Sequence, residues 1–184
     1  MIIPKPNPKG IDVKILDIQS FVHDYLLKKW SIADAKSYVA YGRAYRNQVK
    51  DGYGYIPEVF KKGTEYSDPL LDDTKALTSF FGVGPKVTVK AGMSIAEVHQ
   101  IFCMNLKRIK QSEFRLDEEV HMDILSAYNH PDLNILISST EQWMDAVFRE
   151  YTGYRAQENM KFRDMHPFHC FRVNFQLNYY SNNC

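Results

Sequence analysis

The chain has 184 residues, 45% of them hydrophobic, enough to bury one sizeable core but not two. Its 23 Lys and Arg stand against 22 Asp and Glu, so it has no global basic field of the kind that draws a protein to nucleic acid or acidic lipid. The three cysteines, Cys103, Cys170 and Cys184, have no paired spacing, which argues against a disulfide framework and for a reducing compartment.

Pro4, Pro6 and Pro8 alternate within the first ten residues and predict an extended arm over 1–10 that lies disordered or rests on a neighbour, ahead of a single domain over 11–184. The start has no apolar run long enough for a signal peptide, and no window reaches the roughly 18 apolar residues of a membrane-spanning helix. No membrane partner is expected. Asp12 reads as an N-cap for a helix with Ile15, Ile18, Val22, Tyr25 and Leu26 on one face, widened by Phe21 and Trp30 and ending near Lys28 and Lys29.

A tyrosine-rich run, Tyr38 to Tyr45, precedes a turn at Asp51-Gly52-Tyr53-Gly54 and a second run from Tyr55 to Lys61. Pro57 makes the second run an edge strand or an irregular one. The polar stretch 62–73 predicts a long loop, 74–83 is ambiguous, and Lys86 to Lys90 alternates as a strand after Gly84-Pro85.

Ser94 and Glu97 have capping-box spacing, and Ile95, Val98, Phe102, Leu106 and Ile109 follow at steps of three and four, which predicts a helix. A second, acid-started helix is expected over Asp117 to Tyr128, making a helix pair, and Asn129-His130-Pro131-Asp132 stops it. Leu133 to Ile137 reads as a brief strand. Ser139 and Gln142 repeat the capping-box spacing ahead of a helix with Trp143, Val147, Phe148 and Tyr151 on one face, closed by Gly153. A polar loop over 154–167 leads to His169 to Tyr180, where Phe171, Val173, Phe175, Leu177 and Tyr179 face one way and Cys170, Arg172, Asn174, Gln176 and Asn178 the other. The polar side is expected to face water or a subunit. The sum is an α+β domain, a mainly antiparallel sheet with about four helices packed on one side.

Chemistry is thin along this chain. Glu118 and His121 have the i, i+3 spacing of carboxylate-bridged metal sites, but no second Glu-x-x-His exists, and acids in a first helical turn complement its dipole anyway. His166, His169 and Cys170, with His99 and Cys103, form the densest set of soft-metal ligands. A helix packed over a strand accounts for them without metal, so no metal or cofactor is expected. Gly82-Val83-Gly84-Pro85-Lys86 lacks the Gly-Lys-Ser/Thr ending of a phosphate loop and reads as a turn. Lys107, Arg108, Lys110, Lys86 and Lys90 could form a local basic strip, without the interleaved aromatics of a nucleic-acid reader.

Leu106-Lys107-Arg108-Ile109, then Arg115-x-Asp117-Glu118-Glu119-x-His121-x-Asp123-Ile124, and finally Phe171-x-Val173-x-Phe175-x-Leu177 resemble bacteriophage neck proteins of the head-tail connector and tail-terminator type. The closest part covers residues 94–128. The resemblance implies a virion structural protein without enzymatic activity, assembled in the host bacterial cytoplasm. It would be a subunit of a six- or twelvefold ring that surrounds the DNA channel, contacts the DNA non-specifically and adjoins portal, connector or tail proteins. The subunit contacts expected are Pro4, Pro6 and Pro8 of the arm and Tyr53, Tyr55, Phe60 and Tyr66 of the loop region. The alternatives are a metal-dependent enzyme using His166, His169 and Cys170, or a monomeric adaptor binding through the edge near Pro57.

Overall fold

The computed structural model describes residues 1–50, 52–63, 66–69, 74–133, 135–154 and 166–180. Parts of the two loops expected at 62–73 and 154–167, together with Cys184, lie outside the described residues.

Among the described residues nine strands and four α-helices follow one another as β1 (Ile2–Ile3), α1 (Ile11–Lys29), β2 (Tyr38–Arg43), β3 (Tyr45–Gln48), β4 (Tyr55–Phe60), β5 (Tyr66–Ser67), β6 (Leu77–Lys90), β7 (Met93–Asn105), α2 (Leu106–Ile109), α3 (Asp117–Tyr128), β8 (Ile137–Gln142), α4 (Met144–Val147) and β9 (Phe168–Tyr180). Six strands form the main sheet in the order β1-β2-β6-β7-β9-β8, parallel across β1-β2-β6 and antiparallel thereafter. A small antiparallel sheet, β3-β4-β5, stands apart from it. The domain is α+β and mainly antiparallel, as expected. No helix among the described residues is long and apolar enough to cross a membrane.

The first residues are part of the sheet. Ile2 and Ile3 pair with Ala40 and Tyr41, and Ile3 is buried. The terminal amine donates to the carbonyls of Ala35 and Tyr38. Lys5 pairs with Asp12 and lies 5.6 Å from the Tyr45 ring centre. Asp12 is therefore not the cap of α1; Gly10 takes that place at φ +55°, and Asp12 sits buried in the first turn. Ile15, Ile18, Val22 and Leu26 face the core as their spacing demands.

Ser94 to Asn105 is strand, not helix, paired residue for residue with β9 and, across a shift of register opposite Glu97, with β6. A step of four is even, so Val98 and Phe102 share a strand face as readily as a helical one. Both faces of β7 are buried, with Ala96, Val98, Phe102 and Met104 on one side and Ile101 and Cys103 on the other, which erases the period-two signal. The helical pattern survives only as α2, while α3 forms as predicted. Ser139 to Gln142 is likewise strand β8, and the helix expected behind it shrinks to α4. Trp143, at φ +67°, marks the break and is exposed rather than packed. Of the apolar run 133–137 only Ile137 is strand, with residue 134 outside the described residues.

The helices divide between the two faces. α1 and α3 cover one face over Leu77, Phe81, Val98, Phe102, Phe171, Val173 and Phe175. On the other, Val147 and Phe148 of the α4 segment, Tyr151, Tyr154 and Val59 of β4 cover Val39, Phe80, Ile101, Cys103 and Cys170. Each such fully buried aromatic or aliphatic side chain contributes roughly 1.5–3 kcal/mol. Four polar side chains in the α1/α3 layer satisfy one another: Gln100 Nε2 donates to Ser79 Oγ at 3.0 Å, Tyr38 OH lies 3.0 Å from the same oxygen, and Tyr128 OH donates to Gln100 Oε1.

Candidate functional site

The second sheet face turns from apolar to polar along its length. Facing pairs on β7 and β9 run Cys103 and Cys170, Ile101 and Arg172, His99 and Asn174, then Glu97 and Gln176. Arg172 is only 2% exposed in the middle of this run. Its guanidinium holds Glu150 in a bidentate pair, Nη1 to Oε2 at 2.6 Å and Nη2 to Oε1 at 2.8 Å. Nε donates to Asn174 Oδ1 at 2.7 Å and Nη1 to the Val147 carbonyl at 3.3 Å. Nη2 also donates to His99 Nδ1 at 3.1 Å.

That last bond fixes the tautomer of His99. Nδ1 accepts, so Nε2 carries the proton, and Nε2 is buried with no hydrogen-bond partner. The ring lies flat against Gly82, its register partner on β6, where a Cβ would come within 2.1 Å of Nε2. Burial, and then the Arg172 cation, push the His99 pKa down to about 3. Burial acts to raise that of Glu150, but the Arg172 hydrogen bonds and the charges of His99 and Arg172 outweigh it and hold the carboxyl below its ordinary value.

A pocket of about 330 Å³ opens over this cluster, lined in part by Glu97, His99, Ser139, Glu150, Arg172 and Asn174. At its β8 wall, Asn174 Nδ2 donates to Ser139 Oγ at 3.1 Å and to Glu141 Oε1 at 3.2 Å, and Arg149 pairs with Glu141 at 2.8 Å. Chemically the arrangement is a closed one. A histidine with so low a pKa is a weak base at neutral pH, and the guanidinium is fully engaged. What it does is tie β8 and the segment after it to β9.

The metal-ligand set of the sequence is scattered by strand geometry. His169 and Cys170 are neighbours on β9 and point to opposite faces. Cys170 joins Cys103 at 3.9 Å between sulfurs, neither in a disulfide. His169 turns to α3, its Nε2 2.7 Å from His121 Nε2 and its Nδ1 3.9 Å from Asp117. Burial, then the neighbouring His169, lower the His121 pKa to about 4, while its ring stacks on Phe171 at 3.9 Å. Glu118 is exposed and belongs to no such cluster. His99 and Cys103 lie four residues apart on one strand, about 13 Å at strand rise, too far to share an ion. Among the described residues no group of three or more His, Cys, Asp or Glu could hold a metal.

The remaining candidates fall as follows. Gly82 to Lys86 is the middle of β6, not a turn. Lys110 is engaged by Glu119 and, at 3.0 Å, by Asp123, and it follows the end of β7 opposite to the hairpin that carries the exposed Lys86 and Lys90. Pro4, Pro6 and Tyr53 are exposed, and Pro8 is half-buried. Tyr55 stacks under Arg46 at 3.6 Å, and Phe60 and Tyr66 contact each other at 5.8 Å, so these three side chains are already used within the chain. Near Pro57, β4 pairs with β3, and β5 reaches only Val59 and Phe60. Glu150 escaped the sequence reading, and Arg172 and Gly82 entered it only as a residue of the polar strand face and as part of an expected turn. The signal for Arg172 was there, as the one cation in an otherwise uncharged alternating strand.

Compared with known proteins, the chain matches no family model and no curated sequence.

Proposed function

We propose that this chain is a structural subunit of an oligomeric ring in the bacteriophage neck, lying between portal and tail around the DNA channel and acting through interfaces rather than catalysis. The resemblance in residues 106–128 and in the last strand supports the reading, although residues 94–105, which the resemblance needs as a helix, are strand β7. The observation that carries it furthest is the surface left open at β8. Among the described residues that strand is an edge of the main sheet, paired with β9 on one side, and Leu136 and Trp143 flank it at 84% and 70% exposure. An unpaired edge bracketed by large apolar side chains is a liability in a monomer and an asset in an assembly. Head-to-tail contacts of such a surface close into rings when the rotation closes.

The test is native mass spectrometry and negative-stain microscopy of the purified chain over a concentration series. Closed rings of six or twelve copies are expected. A monomer at every concentration, with Trp143→Ser no different from wild type in its association, would refute the reading.

A further inference from the structure

We infer that the ring contact is made by sheet extension: the outer edge of β8 in one copy receives the distal half of β6, residues 83–90, from the next copy. The inference rests on the ring reading and names its interface.

The main sheet has a second open edge besides β8. β2 covers β6 only from Leu77 to Phe81, and beyond that point β6 is paired on one side alone. The uncovered half, Lys86-Val87-Thr88-Val89-Lys90, is exposed throughout. Val-Thr-Val is a strong strand former, and its flanking lysines are the usual guard of such an edge against indiscriminate pairing. A matching edge must therefore satisfy the lysines as well as the backbone.

β8 meets both conditions. Thr88 and Lys90 face Ile95 and Met93, which places them on the sheet face of Arg172 and His99. Ser139 and Glu141 face Asn174 and Arg172 and so lie on the same side. Around β8, Glu141 and Glu150 are held by Arg149 and Arg172, and the exposed Asp145 adds a further negative charge toward which a lysine can turn. On the opposite face, Val87 and Val89 would come beside Thr140 and Gln142, so that exposed β-branched surface is covered. The strand directions agree as well. β8 runs opposite to β9, β9 opposite to β7 and β7 opposite to β6, so β8 and β6 are antiparallel within one chain. A second copy placed alongside in the same orientation presents its β6 antiparallel to β8, the geometry that a hydrogen-bonded ladder uses most readily.

The pairing also fixes an offset. Thr140 is level with Val173 of β9, whereas Val89, set opposite it, is level, through Ser94, with Tyr179. Six residues of β9 separate the two levels, about 20 Å at strand rise, so successive copies are staggered along the strands. Strands inclined to the ring axis accommodate such a stagger.

The test uses the full chain in a Cys184→Ser background, with Val89→Cys in one preparation and Thr140→Cys in another, mixed and oxidised. Cysteines held together in an interface meet at about millimolar effective concentration, so the mixed disulfide should exceed either homotypic product by roughly tenfold or more. The double variant should give a ladder that ends at the ring's copy number. Oligomers by native mass spectrometry without the mixed disulfide overturn the edge pairing and leave the ring reading standing. Monomers at every concentration with no mixed disulfide overturn both.

Discussion

Lowering the pH tests the buried state of His99 directly. The imidazole is neutral in the fold, with a pKa of about 3, against roughly 6.5 in the unfolded chain. Below pH 6.5 the unfolded state binds the proton and the folded state does not, so stability falls as the pH falls, through the window from about 6.5 to about 3. From pH 7.5 to 5.0 the linkage amounts to roughly 2 kcal/mol from this one group. Other histidines titrate too, so the measurement is a difference of differences: urea unfolding of wild type and of His99→Gln at both pH values. Glutamine offers an oxygen to Arg172 but does not titrate. The stability advantage of wild type over the variant should shrink by about 2 kcal/mol on acidification. An advantage that stays constant with pH would show that His99 is not held neutral by burial and by Arg172, and the tautomer argument would fall with it.

Gly82→Ala should destabilise the fold by about 1–3 kcal/mol, because its Cβ would occupy the place of the His99 ring, with Gly84→Ala, whose nearest contact is 3.4 Å, clearly milder in the same urea titration. Arg172→Met should cost about 3 kcal/mol by leaving Glu150 without its partner, and Arg172→Met combined with Glu150→Leu should recover much of that loss in chemical denaturation. Ile3→Ala should cost roughly 2–3 kcal/mol, since Ile3 is buried in β1, and removal of residues 2–9 should lower the melting temperature instead of leaving the fold intact.

How much of this was legible in the sequence depended on whether an element has one wet face. α1 and α3 each present a buried and an exposed side, and β9 does so from Phe175 onward and keeps an apolar-polar alternation before that, so hydrophobic periodicity identified all three. β7 lies at the centre of the sheet with both faces covered, and there the period carries no information. The capping-box spacing at Ser94 and Glu97 then misled, because two residues three apart recur by chance in any polar stretch. Thr74 to Val83 was ambiguous for the same reason, since Leu77 to Gly82 is buried on both sides. The N-terminal prolines were read as an extended arm, but the chain bends at Pro6 and Asn7, with Asn7 at φ +49°, and Ile2 and Ile3 ahead of them, not the prolines, decide where the segment goes. Proline spacing says nothing of which edge an apolar pair will join.

The polar cluster was illegible for a different reason: its members are brought together by register rather than by sequence. Arg172, His99, Gly82 and Glu150 come from three strands and the segment after α4, and no local motif joins them. Their arrangement has a bearing on β8. That strand departs from regular pairing between Ile137 and Ser139, so its backbone ladder alone holds it weakly in register. Asn174 to Ser139 and Glu141, Arg149 to Glu141 and Arg172 to Glu150 fasten the strand and its following segment at fixed positions along β9. Buried ionic groups add little net stability over apolar replacements of the same shape, but they do set register. An edge that is to accept a strand from another molecule must present its amides and carbonyls at a defined level. If the cluster serves that purpose, replacing Arg172 and Glu150 together by Met and Leu should leave a folded chain whose mixed Val89→Cys and Thr140→Cys cross-link is lost or moved by two residues. An unchanged cross-link in that stable double variant would separate the cluster from assembly and leave it a packing feature alone.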